Sequence, residues 1–386
     1  GGRPMRVAIF RELPYDFPGG VSNLLTILLD YLERHGHEAR VFIADDGNAG
    51  PTQGPFVGFP TVTTRALARS RFCLPVPRAA RMRRELEAFQ PDVVHFLDPL
   101  ILGPMGSYYA RQLKVARVAS FHTLYQEYAL YHGVGFLSRT IRWWAWMVFK
   151  DCHVTLAPSA SVAEDLCQWG LKRVDVWPRG VDFERFHPRW RSEDWRVAVR
   201  GADGDGRPVV LYVGRLAKEK NMETLMALAR ILKGVHWVIV GDGPERGVLS
   251  EALRGVRHTF TGYLTGEELA TTYASSDLFF MPSLTEGCPN AVMEAFASGL
   301  PVVGAAAYGT KDLIVESGAG LAFPSHDVAE ASRQVETLLT NPALAASCGA
   351  RGRAFAESRS WDTMMDQLVK HYSKARALNG LAPSAP

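Results

Sequence analysis

Short apolar runs rich in β-branched residues alternate with amphipathic stretches along most of the chain. "MRVAIF" at 5–10 leads into "RELPYDFPGG", and then into a stretch from about Val21 to His35 in which Leu24, Leu25, Leu28 and Leu32 recur at helical spacing. This order predicts strand, glycine loop and helix. The alternation continues through "EARVFIA", "PDVVHFL", "ARVASFH" and "HVTLAPS", each bounded by turn residues. Short strands alternating with helices build parallel sheets covered on both faces.

Between Arg179 and Pro208 the pattern lapses into "RGVDFERFHPRWRSEDWRVAVRGADGDGRP", dense in charge, glycine and aspartate, which predicts a connection with one short helix. A second α/β series follows: "VVLYVG", "HWVIVGDG", "HTFTGY", "LFFMPS" and "PVVGAA". The tail "SWDTMMDQLVKHYSKARAL" brings Trp361, Met364, Met365 and Leu368 to one helical face. With 386 residues, 47% of them hydrophobic, the chain suits two domains of ordinary size. We read them as residues 1–187, with 361–386 packing back on them, and residues 188–360. Two doubly wound Rossmann-like domains of this kind are expected to face one another across a cleft, where small ligands bind.

Charge and cysteine content narrow the function. A formal net charge of +3 spreads no field strong enough to recruit nucleic acid, so basic residues matter only where they cluster. Cys73, Cys152, Cys167, Cys288 and Cys348 are odd in number and lack any C-x-x-C pair, which predicts reduced thiols in a cytoplasmic setting, with no disulfide and no zinc site. No leader is evident, and no apolar run approaches the roughly 18 to 20 residues of a membrane-spanning helix. Contact with a membrane, if made, is peripheral.

In open α/β sheets the loops after the strands carry the chemistry. After "VVLYVG" comes "GRLAKEKN", where Arg215 and Lys220 are two cations of the kind that neutralise a diphosphate. After "HWVIV" comes "GDGPER", whose Gly241 lets backbone approach a ligand, and after "HTFTG" comes Tyr263, where backbone groups can read a nucleotide base. The stretch "PSLTEGCPNAVMEAFASGLPVVG" at 282–304 sets Glu286 in a turn and Glu294 one turn into a helix that Gly299 closes. Asn290 is expected to cap that helix, leaving Cys288, Pro289 and Asn290 at a positive helix end suited to an anion. Carboxylates flanking such a site accept pairs of sugar or ribose hydroxyls. Each feature alone is also what a solvated loop or first helical turn carries.

Together "GRLAKEKN", "GDGPER", "FTGYL", "PSLTEGCPNAVMEAFASGLPVV" and the entry glycines "FPGG" resemble the GT-B retaining glycosyltransferases of family 4, in the expected order and over essentially the whole chain. "HTLYQEY", "TLAPSASVAEDL", "VDVWPRGVDFERFHPRWR" and "EELATTYASSDLFFMPS" are most similar to lipid-acting members. These are sulfoquinovosyltransferases that use diacylglycerol and mannosyltransferases that extend glucuronosyl diacylglycerol. The chain departs from them at Gly287, Cys288, Pro289 and Asn290, in the loop that the resemblance places against the donor sugar.

The resemblance implies a uridine or guanosine diphosphate sugar as donor and a membrane lipid as acceptor, with no cofactor and no metal. It implies that Arg215 and Lys220 meet the donor diphosphate, Glu294 the ribose hydroxyls, and Glu286 the transferred sugar near its 3-hydroxyl. His122 is implied to contact the donor sugar, and Gly19 and Gly20 to let phosphate or acceptor approach backbone amides. Retention then follows a front-face route in which leaving-group charge is stabilised. A soluble acceptor, or nucleotide binding without catalysis, are the competing functions.

A lipid acceptor calls for a membrane-facing surface. Arg65 to Arg84, "RALARSRFCLPVPRAARMRR", holds seven arginines and no acid, interleaved with apolar residues, a mixture suited to an anionic inner leaflet. "IRWWAWMVFK" at 141–150, apolar on both faces, reads as mostly core, and Tyr125, Tyr128 and Tyr131 as core or as lining of an acceptor cleft.

Overall fold

The computed structural model describes residues 4–15, 20–47, 54–62, 74–98, 100–122, 138–201 and 206–381. Gly19, Arg65, Cys73, Tyr125, Tyr128 and Tyr131 lie outside them. The described residues form two compact α/β units, one from the chain up to 122 with 138–177 and the segment after Met364, the other from Pro178–Thr363.

The N-terminal unit is built on strands β1 (Arg6–Arg11), β2 (Glu38–Asp45), β3 (Phe56–Val62), β4 (Leu74–Pro75), β5 (Val93–Phe96), β6 (Ala116–Ser120), β7 (Val154–Ala157) and β8 (Val174–Val176). Their order is β4-β3-β2-β1-β5-β6-β7-β8, parallel except for the β3–β4 pair. Val7 to Phe10 on β1 are wholly excluded from solvent, and Phe10 stacks on Phe42 with ring centroids 4.6 Å apart. Burial on both faces makes central strands continuous apolar runs, which is why they are visible in the sequence. The strands β3, β4 and β8 lie toward the sheet's margins; β3 and β8 mix polar with apolar residues and β4 is only two residues long, so none carries such a signal.

The terminal helix Trp361–Leu381 packs on this unit, burying Met364, Met365, Leu368, Tyr372 and Ala375. Trp177 Nε1 donates to the Met364 carbonyl at 2.8 Å, and Lys374 meets Asp175 at 2.6 Å.

The C-terminal unit holds β9 (Val209–Val213), β10 (His236–Val240), β11 (His258–Gly262), β12 (Leu278–Met281), β13 (Val302–Ala305) and β14 (Gly320–Phe323), all parallel in the order β11-β10-β9-β12-β13-β14. Leu228, Trp237, Phe280 and Phe323 fill one buried cluster and Tyr273, Phe279, Val292 and Phe296 another.

The units divide between Trp177 and Pro178 and again between Thr363 and Met364, against expected divisions after 187 and after 360. Residues 178–187 belong with the second unit because they are tied to it. Val181 and Phe186 are buried in its core, Val181 N–H donates to the Arg359 carbonyl at 3.0 Å, and Arg353 donates to the carbonyls of Phe183 and Phe186 at 2.7 and 3.0 Å. The connection carries one short α-helix, Glu193–Arg200, whose Arg196 forms a two-pronged pair with Asp277 at 3.0 Å on each arm.

One expectation is corrected. Helix Ser138–Phe149 buries only Ala145, Val148 and Phe149 among its apolar side chains, while Trp143, Trp144 and Met147 are 55, 42 and 39% exposed. The helix lies on one face of a sheet, so only one stripe of it meets the core.

Candidate active site

In the C-terminal unit β9 and β12 are neighbours from which the crossovers run in opposite directions, the point where open α/β sheets bind ligands. Arg215 and Lys220 follow β9, and Glu286 follows β12. Lys220 Nζ contacts the Glu286 carboxylate directly, joining residues that are 66 apart in the chain. Asn221 holds the two loops in register: it takes the left-handed conformation (φ 56°), is buried, and donates from Nδ2 to the Pro282 carbonyl at 3.1 Å. Arg215 remains about half exposed, with a guanidinium nitrogen 3.6 Å from the buried Glu219 carboxylate.

Behind this pair the helix Asn290–Ala297 begins at Asn290, with Pro289 rather than Asn290 in the capping position. Proline has no side-chain acceptor, so the helix lacks a side-chain cap, and the Asn290 Oδ1 atom is itself buried without a hydrogen-bond partner. Gly299 (φ 69°) closes the helix, its N–H donating to the Phe296 carbonyl and that of Leu300 to Ala295, both at 2.9 Å. Glu294 projects one turn in and accepts a 2.9 Å hydrogen bond from the buried Tyr273 hydroxyl. Desolvation pushes its carboxyl up to about 7 despite that bond.

Gly241 has an internal reason to be glycine. Its φ is 121°, and a Cβ there would stand 2.0 Å from the Gly214 carbonyl oxygen, so close packing of neighbouring loops already demands it. Tyr263 is 72% exposed, its hydroxyl donating to the Asp242 carbonyl at 3.2 Å.

Two further residues shape the Glu286–Asn290 loop. Gly309 donates from its N–H to the Glu286 carbonyl at 3.0 Å, and a Cβ on it would meet the Gly287 oxygen at 2.0 Å. Arg179 is buried within electrostatic reach of Glu286 and Cys288; burial lowers its own pKa, and burial also pushes the Cys288 thiol up. Neither was singled out by sequence, since Arg179 sits in the charged connection and Gly309 in an ordinary "AAAYGT" run.

His122 and Gly20 belong to the N-terminal unit. His122 follows β6, its Nε2 2.6 Å from Ser120 Oγ; that hydroxyl also lies 2.8 Å from His95 Nε2, and His95 Nδ1 is 2.8 Å from the Tyr372 hydroxyl. His95 is fully buried, and desolvation drops its pKa to about 3, so the imidazole is neutral. Gly20 opens the helix Gly20–Arg34 that follows β1. In this sheet the crossovers reverse between β1 and β5, and there the buried Glu12 accepts hydrogen bonds of 2.8 to 2.9 Å from the N–H groups of Ile101, Leu102 and Gly103. Burial raises the Glu12 carboxyl to about 7. It caps helix Leu102–Gln112 from a distance in sequence that no local pattern reveals.

The fold, with cationic and acidic loops meeting at the switch point of its second sheet, is that of a glycosyltransferase of the GT-B class. Residues 18–185 match the family model "Glycosyltransferase Family 4" and residues 198–355 match "Glycosyl transferases group 1". A GDP-mannose-dependent alpha-mannosyltransferase of Mycobacterium tuberculosis is 38% identical over 96% of this chain and 97% of its own, and one of Corynebacterium glutamicum 35% identical over 99% and 92%. The sulfoquinovosyl transferase SQD2 of Arabidopsis thaliana is 30% identical over 93% of this chain and 71% of its own. Among solved structures, Anabaena HepE in complex with UDP superposes with a TM-score of 0.77 at 20% identity, covering 96% of this chain and all of that one. The chain therefore belongs to the family 4 glycosyltransferases and is a nucleotide-sugar hexosyltransferase.

Proposed function

We propose that the protein transfers mannose from GDP-mannose to a membrane glycolipid, with retention at the anomeric carbon. The observation that carries this is the Lys220–Glu286 pair at the switch point, flanked by Arg215 and Glu294. It supplies cations for a diphosphate and carboxylates for hydroxyl pairs in one place. The choice of mannose and guanosine rests on the two mannosyltransferase relatives, and the lipid acceptor on SQD2 together with an alpha-monoglucosyldiacylglycerol synthase of Streptococcus pneumoniae, 28% identical over 88% of this chain. The donor is α-linked and those mannosyltransferases are named for α products, which supports the retaining reading.

Without donor, Glu286 compensates the Lys220 charge; a diphosphate arriving between Arg215 and Lys220 takes over that role and frees Glu286 to accept from sugar hydroxyls. As the glycosidic bond breaks, charge accumulates on the departing diphosphate, where both cations stabilise it. The acceptor hydroxyl attacks from the same face and passes its proton to the leaving phosphate. Arg179 and Gly309 hold the loop that this reading sets against the sugar.

A thermal-shift panel of GDP-mannose, UDP-glucose and ADP-glucose tests the donor, since a ligand bound by the native state alone raises its melting point. GDP-mannose is expected to stabilise the protein and the others not. Equal shifts, or none with GDP-mannose, overturn the assignment.

A further inference from the structure

We propose that helix Ser138–Phe149 is the surface by which the protein docks on an anionic bilayer. This rests on the lipid-acceptor reading but places the contact on a surface that reading does not name. Trp143, Trp144 and Met147 are exposed on the stripe of this helix opposite the buried Ala145, Val148 and Phe149. Arg139 and Arg142 on the helix and Lys150 just after it are exposed as well, and no acid lies between Ser138 and Lys150. Trp144 Nε1 donates to the Leu100 carbonyl at 3.1 Å and Arg142 lies over the Trp169 ring, yet both keep exposed surface. Partly exposed large aromatic side chains beside cations are what an interfacial helix presents: rings enter the headgroup region while ammonium and guanidinium groups meet lipid phosphates.

The neighbouring surface has the same character. Helix Leu102–Gln112 packs beside the first and exposes Tyr108 (58%) and Arg111; Arg111 neutralises Asp151, the first acid past the helix, at 2.9 Å. Helix Ala79–Phe89 packs next to that one, with Arg78 just before it and Arg84 within it exposed to solvent. The helices Leu102–Gln112 and Ser138–Phe149 connect parallel strands in one direction, β5 to β6 and β6 to β7, so right-handed crossovers put both on one face of the sheet, and Ala79–Phe89 joins them by packing on the first. Of the arginine-rich stretch at 65–84 only the part from Leu74 is described, and Arg83 there is paired with Glu87 at 2.7 Å.

The test is co-sedimentation of the full chain with phosphatidylcholine vesicles, with and without phosphatidylglycerol, alongside mannosyl transfer to a detergent-dispersed glycosyl diacylglycerol. Wild type is expected to pellet only with anionic vesicles. Trp143→Ser/Trp144→Ser should weaken that binding about tenfold or more, and Arg139→Gln/Arg142→Gln about fivefold per removed cation. Both double variants should keep wild-type circular dichroism and GDP binding. Quenching of tryptophan fluorescence by brominated lipid in wild type, lost in Trp143→Ser/Trp144→Ser, supports the docking face. Unchanged vesicle binding by both variants overturns it, as does a concentration-dependent dimer that the tryptophan substitutions abolish without altering vesicle binding. Vesicle docking through this helix with transfer only to water-soluble acceptors leaves the docking face standing and refutes the lipid acceptor; transfer to dispersed lipid without any vesicle binding does the reverse.

Discussion

His95 and Tyr372, 277 residues apart, meet with imidazole Nδ1 and phenol oxygen at 2.8 Å. From His95 the hydrogen bonds run on through Ser120 to His122. Ser120 has one hydroxyl proton and lies between two imidazole nitrogens, so it donates to one ring and accepts from the other. The tautomers of His95 and His122 are thereby coupled. When His122 is protonated, its Nε2–H donates to Ser120, Ser120 donates to His95, and His95 donates to Tyr372. The tautomer of His122 is thus set in part by His95 and Tyr372, which it does not contact through this row.

Ser120→Ala should cut this row at His122. Loss of one orienting hydrogen bond is worth about tenfold in kcat/KM. GDP affinity should not change. A parallel loss of GDP binding would instead mark general damage to the fold.

Arg215→Ala and Lys220→Ala should each lower kcat by roughly a hundredfold or more, the scale of removing one preorganised charge stabiliser. Glu286→Gln should behave differently. It releases Lys220 from its ion pair, so GDP should bind a few-fold tighter by calorimetry while mannosyl transfer falls. Equal weakening of GDP binding and transfer would show that Glu286 does not compete with the diphosphate.

Donor affinity should depend on pH through Glu294. With its carboxyl held near 7, ionisation completes only above neutrality, and the ionised form is the better acceptor for two ribose hydroxyls. GDP-mannose should therefore bind more tightly at pH 8 than at pH 6, and Glu294→Gln should flatten that slope. A slope unchanged in the variant assigns the titration elsewhere.

Stability should carry opposing pH trends. His95 and His153 are held neutral, with folded values of about 3 and about 4, so the unfolded chain takes up protons first and stability is lost as pH falls below about 6.5. Glu12 runs the other way: the unfolded carboxyl ionises near 4.5 while the folded one keeps its proton to about 7, so stability falls as pH rises through that window. Glu12→Gln keeps an acceptor for the helix amides but removes this titration. Melting temperature against pH between 4.5 and 7 should then slope more steeply upward, by up to about 1.4 kcal/mol of stability per pH unit. An unchanged slope would mean that Glu12 is ionised throughout.

Gly309→Ala should leave the fold largely intact yet impair transfer, because a methyl group at 2.0 Å from the Gly287 oxygen must push the sugar-facing loop away. Solved as a crystal structure, the variant should show that loop displaced; normal loop and activity together would refute the role.

What the chain declares by itself is what local physics controls. Central strands such as β1 and β9 are continuous apolar runs because both faces are buried, and the cap at Gly299 shows because only glycine tolerates its backbone turn cheaply. Arg215, Lys220 and Glu286 could be picked out because strand-following loops are where open α/β sheets bind ligands, and Glu294 because it sits one turn into the helix that follows such a loop. Tertiary structure decided what depends on contacts distant in sequence: that Lys220 faces Glu286, that Glu12 caps a helix some ninety residues on, and that Arg179 is buried against the Cys288 loop. It also decided that Trp143 and Trp144 face outward. An apolar helix carries no periodic polar stripe to show which side meets the sheet, so only the packing of its neighbours could choose.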